Sequence, residues 1–199
     1  MALKTFVKIN GVNNLSDARY CAGMNVDLMG FCIDSEDDGY ITPQKYGEIT
    51  SWTSGVEFVG ELGNSKIDNE KDLLSNYELN YFESNDLKVL RSIKKPVRKI
   101  LNINLEDISN HAFDRIDLIT VNKDTDEITD EDISIIRKLA MNNKVLIGYG
   151  IDADNVDEIL EETKAYGIAI SGGSEIRPGY KDYDELADIL ETLEVDEWA

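Results

Sequence analysis

Short apolar runs alternate with stretches of helical periodicity about eight times along 199 residues, and this alternation constrains the fold more than any other feature. The runs Lys4–Ile9, Asp27–Ile33, Val56–Leu62, Leu79–Glu83, Val97–Ile103, Asp117–Val121, Lys144–Tyr149 and Gly167–Ser171 read as buried strands. Between and after them, helices are predicted near Ser16–Gly23, Pro43–Thr50, Asn69–Tyr77, Asp86–Ile93, Leu105–Phe113, Asp130–Met141, Asp154–Tyr166 and Asp182–Leu193. The last two show the helical period clearly, as Val156, Ile159 and Leu160, then Leu186, Ile189, Leu190 and Leu193. Acidic residues crowd their first turns, where the helix dipole favours them.

Strict β/α alternation implies a parallel sheet with right-handed crossovers. Eight units without a linker, low-complexity tract or second core point to one domain over residues 1–199, an α/β chain closed into a single (β/α)8 barrel, or TIM barrel. A composition 42% hydrophobic and 30% charged supplies one sizeable core. No basic and apolar leader precedes the first strand, and no apolar run reaches the ~18 residues of a membrane span, so a cytoplasmic protein is expected. Cys21 and Cys32 have no Cys-x-x-Cys spacing or neighbouring histidine, so neither a disulfide framework nor a metal site is expected, and no cofactor is implied. The single histidine, His111, falls in the expected Leu105–Phe113 helix, in a surface or structural role.

Forty acidic residues against twenty basic ones give a net charge of -20, which disfavours nucleic acid and anionic membranes as partners. A phosphorylated small molecule would rely on backbone amides and a few cations such as Lys8 or Arg177. Two segments offer such amides. Val7-Lys8-Ile9-Asn10-Gly11 leads into Ser16-Asp17-Ala18-Arg19, and Ile170-Ser171-Gly172-Gly173-Ser174-Glu175 leads into Pro178-Gly179-Tyr180-Lys181-Asp182. Each reads as a strand, a glycine turn at its C-terminal end and a helix start, an arrangement that lets backbone N–H groups approach an anion.

These two segments, with Asp27-Leu28-Met29-Gly30-Phe31 and with Gly148-Tyr149-Gly150-Ile151 before Asn155-Val156, resemble the phosphoribosylanthranilate isomerase family of tryptophan biosynthesis. The resemblance covers nearly the whole chain and implies a barrel whose ligand site lies at the C-terminal ends of the strands. It implies a phosphate cup at the turns after strands seven and eight, here Gly148, Gly150, Ser171, Gly172 and Gly173. It also implies an Amadori rearrangement, in which one group protonates the ribose ring oxygen and another removes the C2 proton. In the family a cysteine ending strand one is the base and an aspartate ending strand six is the acid.

This sequence has Asn10 and Asn122 at those two positions, and a carboxamide has no proton to exchange at neutral pH. The family's glycine-rich loop after strand six is replaced by Lys123-Asp124-Thr125-Asp126-Glu127. The loop after strand two, which in the family carries an arginine for the substrate carboxylate, runs Asp34-Ser35-Glu36-Asp37-Asp38-Gly39. Cys32, sharing strand parity with Gly30, offers a relocated base, with Asp34 or Asp124 as acid; a small core cysteine is the simpler reading. Lys8 points inward on the same face as Asn10, to bind an anion or to pair with Glu61 or Glu83. The residues thus favour a phosphate-binding barrel with degenerate catalytic positions over a native isomerase. The alternative is a non-catalytic scaffold or regulatory protein, and the oligomeric state is left open.

Overall fold

The computed structural model describes residues 2–63, 70–110, 113–172, 175–177, 180–181 and 184–195. Eight parallel strands close into a barrel in sequence order: β1 Phe6–Asn10, β2 Leu28–Cys32, β3 Glu57–Leu62, β4 Tyr81–Ser84, β5 Arg98–Asn104, β6 Leu118–Asn122, β7 Val145–Ile147 and β8 Gly167–Ser171. Closure is made by β1 against β8, in register from Phe6 opposite Gly167 to Asn10 opposite Ser171. The helices are α1 Leu15–Gly23, α2 Pro43–Thr50, α3 Glu70–Ser75, α4 Leu87–Ser92, α5 Asp130–Ala140, α6 Val156–Thr163 and α7 Asp184–Thr192. Every expected strand is present within a few residues of its expected bounds.

Two connections differ from expectation. The element after β5 is a 3-10 helix, Leu105–Asn110, rather than a helix running to Phe113. Asn104 accepts a hydrogen bond from the Glu106 N–H through its side chain, and such local capture of the backbone competes with regular helix. His111 lies outside the described residues. After β8 the chain forms a short antiparallel pair, β9 Glu175–Arg177 and β10 Tyr180–Lys181, before α7 begins at Asp184.

Register and the period of two decide what fills the barrel. Leu28, Val59, Tyr81, Ile100, Leu118, Leu146 and Ala169, with Phe6 against them, form one apolar cluster inside the lower barrel. Two residues further along each strand the interior becomes polar or glycine: Lys8, Gly30, Glu61, Glu83, Asn102, Thr120, Gly148 and Ser171. The opposite strand faces, among them Val7, Ile9, Met29, Phe31, Ile119, Val121 and Ile168, pack against the helices through residues such as Leu90, Ile136, Val156, Leu186 and Leu190. The barrel therefore has an apolar floor and a polar mouth, and the mouth lies at the strand C-termini.

The β1–β8 seam depends on one absent side chain. A Cβ at Gly167 would sit 1.9 Å from the Phe6 carbonyl oxygen, a backbone atom that cannot rotate aside. Gly167→Ala is expected to lower stability by about 3 kcal/mol, the upper part of the usual overpacking range, read as a lower urea midpoint. Gly23→Ala, in α1 with no atom within 4 Å of the new methyl, is expected to be neutral or to add up to about 1 kcal/mol.

Candidate functional site

At the mouth, Lys8 is fully buried, and its ammonium is surrounded by acceptors from three strands. It donates to Glu61 Oε1 at 2.6 Å and to Asn10 Oδ1, and lies 2.9 Å from Glu83 Oε2. The last contact is an ion pair off the hydrogen-bond direction, since Glu83 Oε2 has no donor aligned on it. Glu61 Oε2 accepts the Gly11 N–H at 3.0 Å, and Glu83 Oε1 accepts Asn102 Nδ2 at 3.1 Å. Asn102 Oδ1 in turn accepts Asn122 Nδ2 at 2.6 Å. On the other side, Asn10 Nδ2 reaches the Ala169 carbonyl at 3.4 Å and Ser171 Oγ at 3.5 Å. One continuous polar chain thus crosses the mouth from β8 through β1, β3, β4 and β5 to β6.

Two glycines make room for it. A Cβ on Gly30 would lie 1.8 Å from Glu61 Oε1, and one on Gly148 would lie 2.3 Å from Asn122 Oδ1. The strand positions without side chains are therefore filled by the carboxylate and the carboxamide of neighbouring strands. Burial alone would drive the Lys8 pKa down, but the charges of Glu61 and Glu83 more than reverse this, and it lies above the ordinary lysine value. Burial first, and then the charge of Glu83, push Glu61 above the usual glutamate range despite Lys8 and the Gly11 N–H.

The positions singled out in the sequence fall into two groups. Lys8, Asn10 and Asn122 belong to the polar chain. Gly148, Gly150 and Ser171 line a separate cleft of about 210 Å³ between the β7 and β8 turns, with Tyr149, Ile151 and Ile170. Gly172 follows Ser171 directly, and Gly173 lies outside the described residues. Gly150 has φ +64°, which an L side chain rarely adopts, and a Cβ there would also lie 2.8 Å from the Asp126 carbonyl. The Gly148 N–H is already donated to the Val121 carbonyl at 2.9 Å. Asp126 and Glu185 also line this cleft, so an anion in it would meet carboxylates as well as backbone.

The surrounding loops are tied to themselves. Asp34 Oδ1 accepts the Glu36 N–H at 3.1 Å and Asp37 Oδ1 accepts the Gly39 N–H at 2.7 Å, Asx turns that hold the acidic β2 loop. After β6, Lys123 is bound to both oxygens of Asp132, at 3.0 and 2.9 Å, and Asp132 closes a capping box with Thr129 at the start of α5. Cys32 is half-buried with its Sγ 3.9 Å from the Asp34 carbonyl, and burial pushes its thiol up to about 11. It is a protonated thiol at neutral pH, so the relocated-base reading of Cys32 is not supported by its surroundings. Among the described residues, no group of three or more His, Cys, Asp or Glu side chains is placed to hold a metal ion, and no helix is long and apolar enough to cross a membrane.

Asn102 and Thr120 were not singled out by the sequence. Both are inward residues two positions beyond an apolar floor residue, and that spacing was the available signal. Thr120 is almost fully buried, and its Oγ1 has no hydrogen-bond partner among the described residues.

Comparison with known proteins sets this geometry in a lineage. Residues 7–192 match the family model of N-(5'phosphoribosyl)anthranilate (PRA) isomerase. The chain belongs to that family. Relatives named N-(5'-phosphoribosyl)anthranilate isomerase include one from Sulfurihydrogenibium sp., 24% identical over 200 residues, covering 94% of this chain and 98% of the relative. Another, from Aquifex aeolicus, is 27% identical over 196 residues, covering 92% and 96%. Solved structures share the fold. A phosphoribosylanthranilate isomerase crystallised with reduced 1-(o-carboxyphenylamino)-1-deoxyribulose 5-phosphate gives a TM-score of 0.77 at 22% identity, over 95% of this chain and 98% of that one. The Thermus thermophilus protein gives 0.76 at 18%, over 94% and 98%.

The polar chain centres on Lys8. Lys8→Met would leave two buried carboxylates facing each other, and breaking such a pair costs about 3–5 kcal/mol. The sign with pH follows. Glu61, held above its unfolded pKa, binds more protons folded than unfolded, so stability falls as pH rises through that interval. Chemical denaturation of both proteins is expected to show the Lys8→Met deficit at full size at pH 7 and shrinking as the pH is lowered toward 5.

Proposed function

We propose that this chain is a phosphoribosylanthranilate isomerase-like barrel that binds a phosphorylated small molecule at its C-terminal face without isomerising it efficiently. The observation that carries this reading is the fixing of Asn10 and Asn122, the two positions matching the family's base and acid, within one hydrogen-bonded chain. The family reaction needs a proton delivered to the ribose ring oxygen and another removed from C2. Neither carboxamide can do so, and each acid or base is worth about 10²–10⁴ in rate. The carboxylates joined to them through that chain, Glu61 and Glu83, are already committed to Lys8, Gly11 and Asn102.

Support for a phosphorylated ligand is the cleft where Gly148, Gly150 and Ser171 meet, formed by glycine turns at the strand ends. Asp126 and Glu185 beside it favour a weaker hold than a cationic cup would give, with backbone amides supplying the attraction. The net charge of -20 favours a small molecule over nucleic acid or an anionic membrane, in a cytoplasmic setting. The acidic cleft also favours a second reading, in which the barrel is a scaffold or regulatory partner-binding protein.

Two measurements on the purified protein test this. Turnover of phosphoribosylanthranilate is expected to be at least about 10⁴-fold below that of the Aquifex aeolicus relative, from loss of both groups. Turnover within tenfold of that relative would refute the loss of activity. Thermal denaturation with the reduced deoxyribulose phosphate at about 100 times its Kd is expected to show stabilisation of about 2.7 kcal/mol. No shift with the analogue or with inorganic phosphate would refute ligand binding and favour the scaffold.

A further inference from the structure

The opposite end of the barrel carries a feature that the mouth does not explain. A cavity of about 590 Å³ opens beneath the floor, lined by the residues that precede or begin β7, β8, β1 and β2. Three lysines converge on it: Lys4 before β1, Lys144 before β7 and Lys164 between α6 and β8. In a chain with twice as many acidic as basic residues, lysines gathered around one cavity should each find a carboxylate. Two of these do not. Lys144 lies over the Tyr166 ring, 4.5 Å from its centroid. Lys164 is exposed at the left-handed C-cap of α6, φ +56°, with no ion pair among the described residues. Among the described residues only Lys4 is matched, by Asp157 at 3.0 Å, and both partners of that pair are about half exposed, so it exchanges readily with a competing anion.

Among the described residues one acid, Asp27, lines the cavity, and one of its oxygens is already engaged by backbone. Asp27 Oδ2 accepts the Val7 N–H at 2.8 Å and so belongs to the β1–β2 edge. The wall is completed by Phe6 packed on Tyr166, ring centroids 4.9 Å apart, the aromatic side over which the Lys144 ammonium lies. The overall negative charge opposes any anion at long range, but at physiological salt that field is screened beyond about 8 Å, leaving the local lysines to decide.

We propose that this floor cavity binds a small phosphate-bearing anion, held by Lys144 and Lys164 with Lys4 recruited from Asp157. The site is distinct from the cleft of the β7 and β8 turns, which lies at the other end of the same strands.

The test uses inorganic pyrophosphate titrated into the isotope-labelled protein, followed through its backbone amide NMR signals. Saturable shifts are expected at residues 143–145 and 164–166, and the double variant Lys144→Gln/Lys164→Gln should weaken binding there at least about fivefold, as two surface charge contacts would. Asp157→Asn, which frees Lys4, should tighten binding, whereas Glu158→Gln on the next residue of α6 should not. Both variants lie on exposed side chains, so the fold is retained. Shifts confined to residues 148–151 and 171–172, an absence of shifts, or a double variant that binds as the parent does would each overturn the proposal.

Discussion

The mouth of this barrel is organised by a single buried ammonium. Lys8 is placed by strand parity at the level where the apolar floor ends, and from there it holds Asn10, Glu61 and Glu83 from three strands. Burying one cation with two carboxylates does not in itself add much stability, because desolvation offsets most of the attraction. What it imposes is arrangement. Each carboxylate oxygen and each lysine proton needs a partner, and meeting those needs draws in the Gly11 N–H, Asn102 and, through Asn102, Asn122. Gly30 and Gly148 follow from the same constraint, since larger residues would displace Glu61 or Asn122.

The consequence is a family member whose barrel shape is retained and whose mouth carries Asn10 and Asn122 in one hydrogen-bonded chain. The barrel, the glycine turns at its C-terminal end and nearly full-length coverage of the isomerase relatives are intact. Asn10 and Asn122 are members of that chain, joined to Lys8 and Asn102. The loops above them are held by Asx turns after β2 and by the Lys123–Asp132 pair after β6.

Much of this was legible in the sequence, for identifiable reasons. Strand and helix order follow from local periodicity, so the barrel could be read without long-range information. An inward Lys8 paired with Glu61 or Glu83 could be read from parity, and the structure uses both. Asn102 and Thr120 escaped because their importance depends on register accumulated across strands that are not neighbours of β1. The 3-10 helix after β5 escaped because one hydrogen bond from the Glu106 N–H to the Asn104 side chain outweighed helical periodicity. The convergence of Lys4, Lys144 and Lys164 escaped because they are far apart in the chain and meet only once β1 closes on β8.

The most direct test of the account is titration of the Lys8 side chain itself, followed by carbon and nitrogen NMR of its ε-methylene and ammonium with the protein selectively labelled at lysine. The two carboxylates should keep Lys8 charged past the ordinary lysine value of 10.5, with its ammonium protons protected from exchange. A midpoint below that value, with rapid exchange, would mean that the carboxylates do not hold it. The amine would then be free to serve as a base or nucleophile, and the view of the mouth as a closed polar chain would fail.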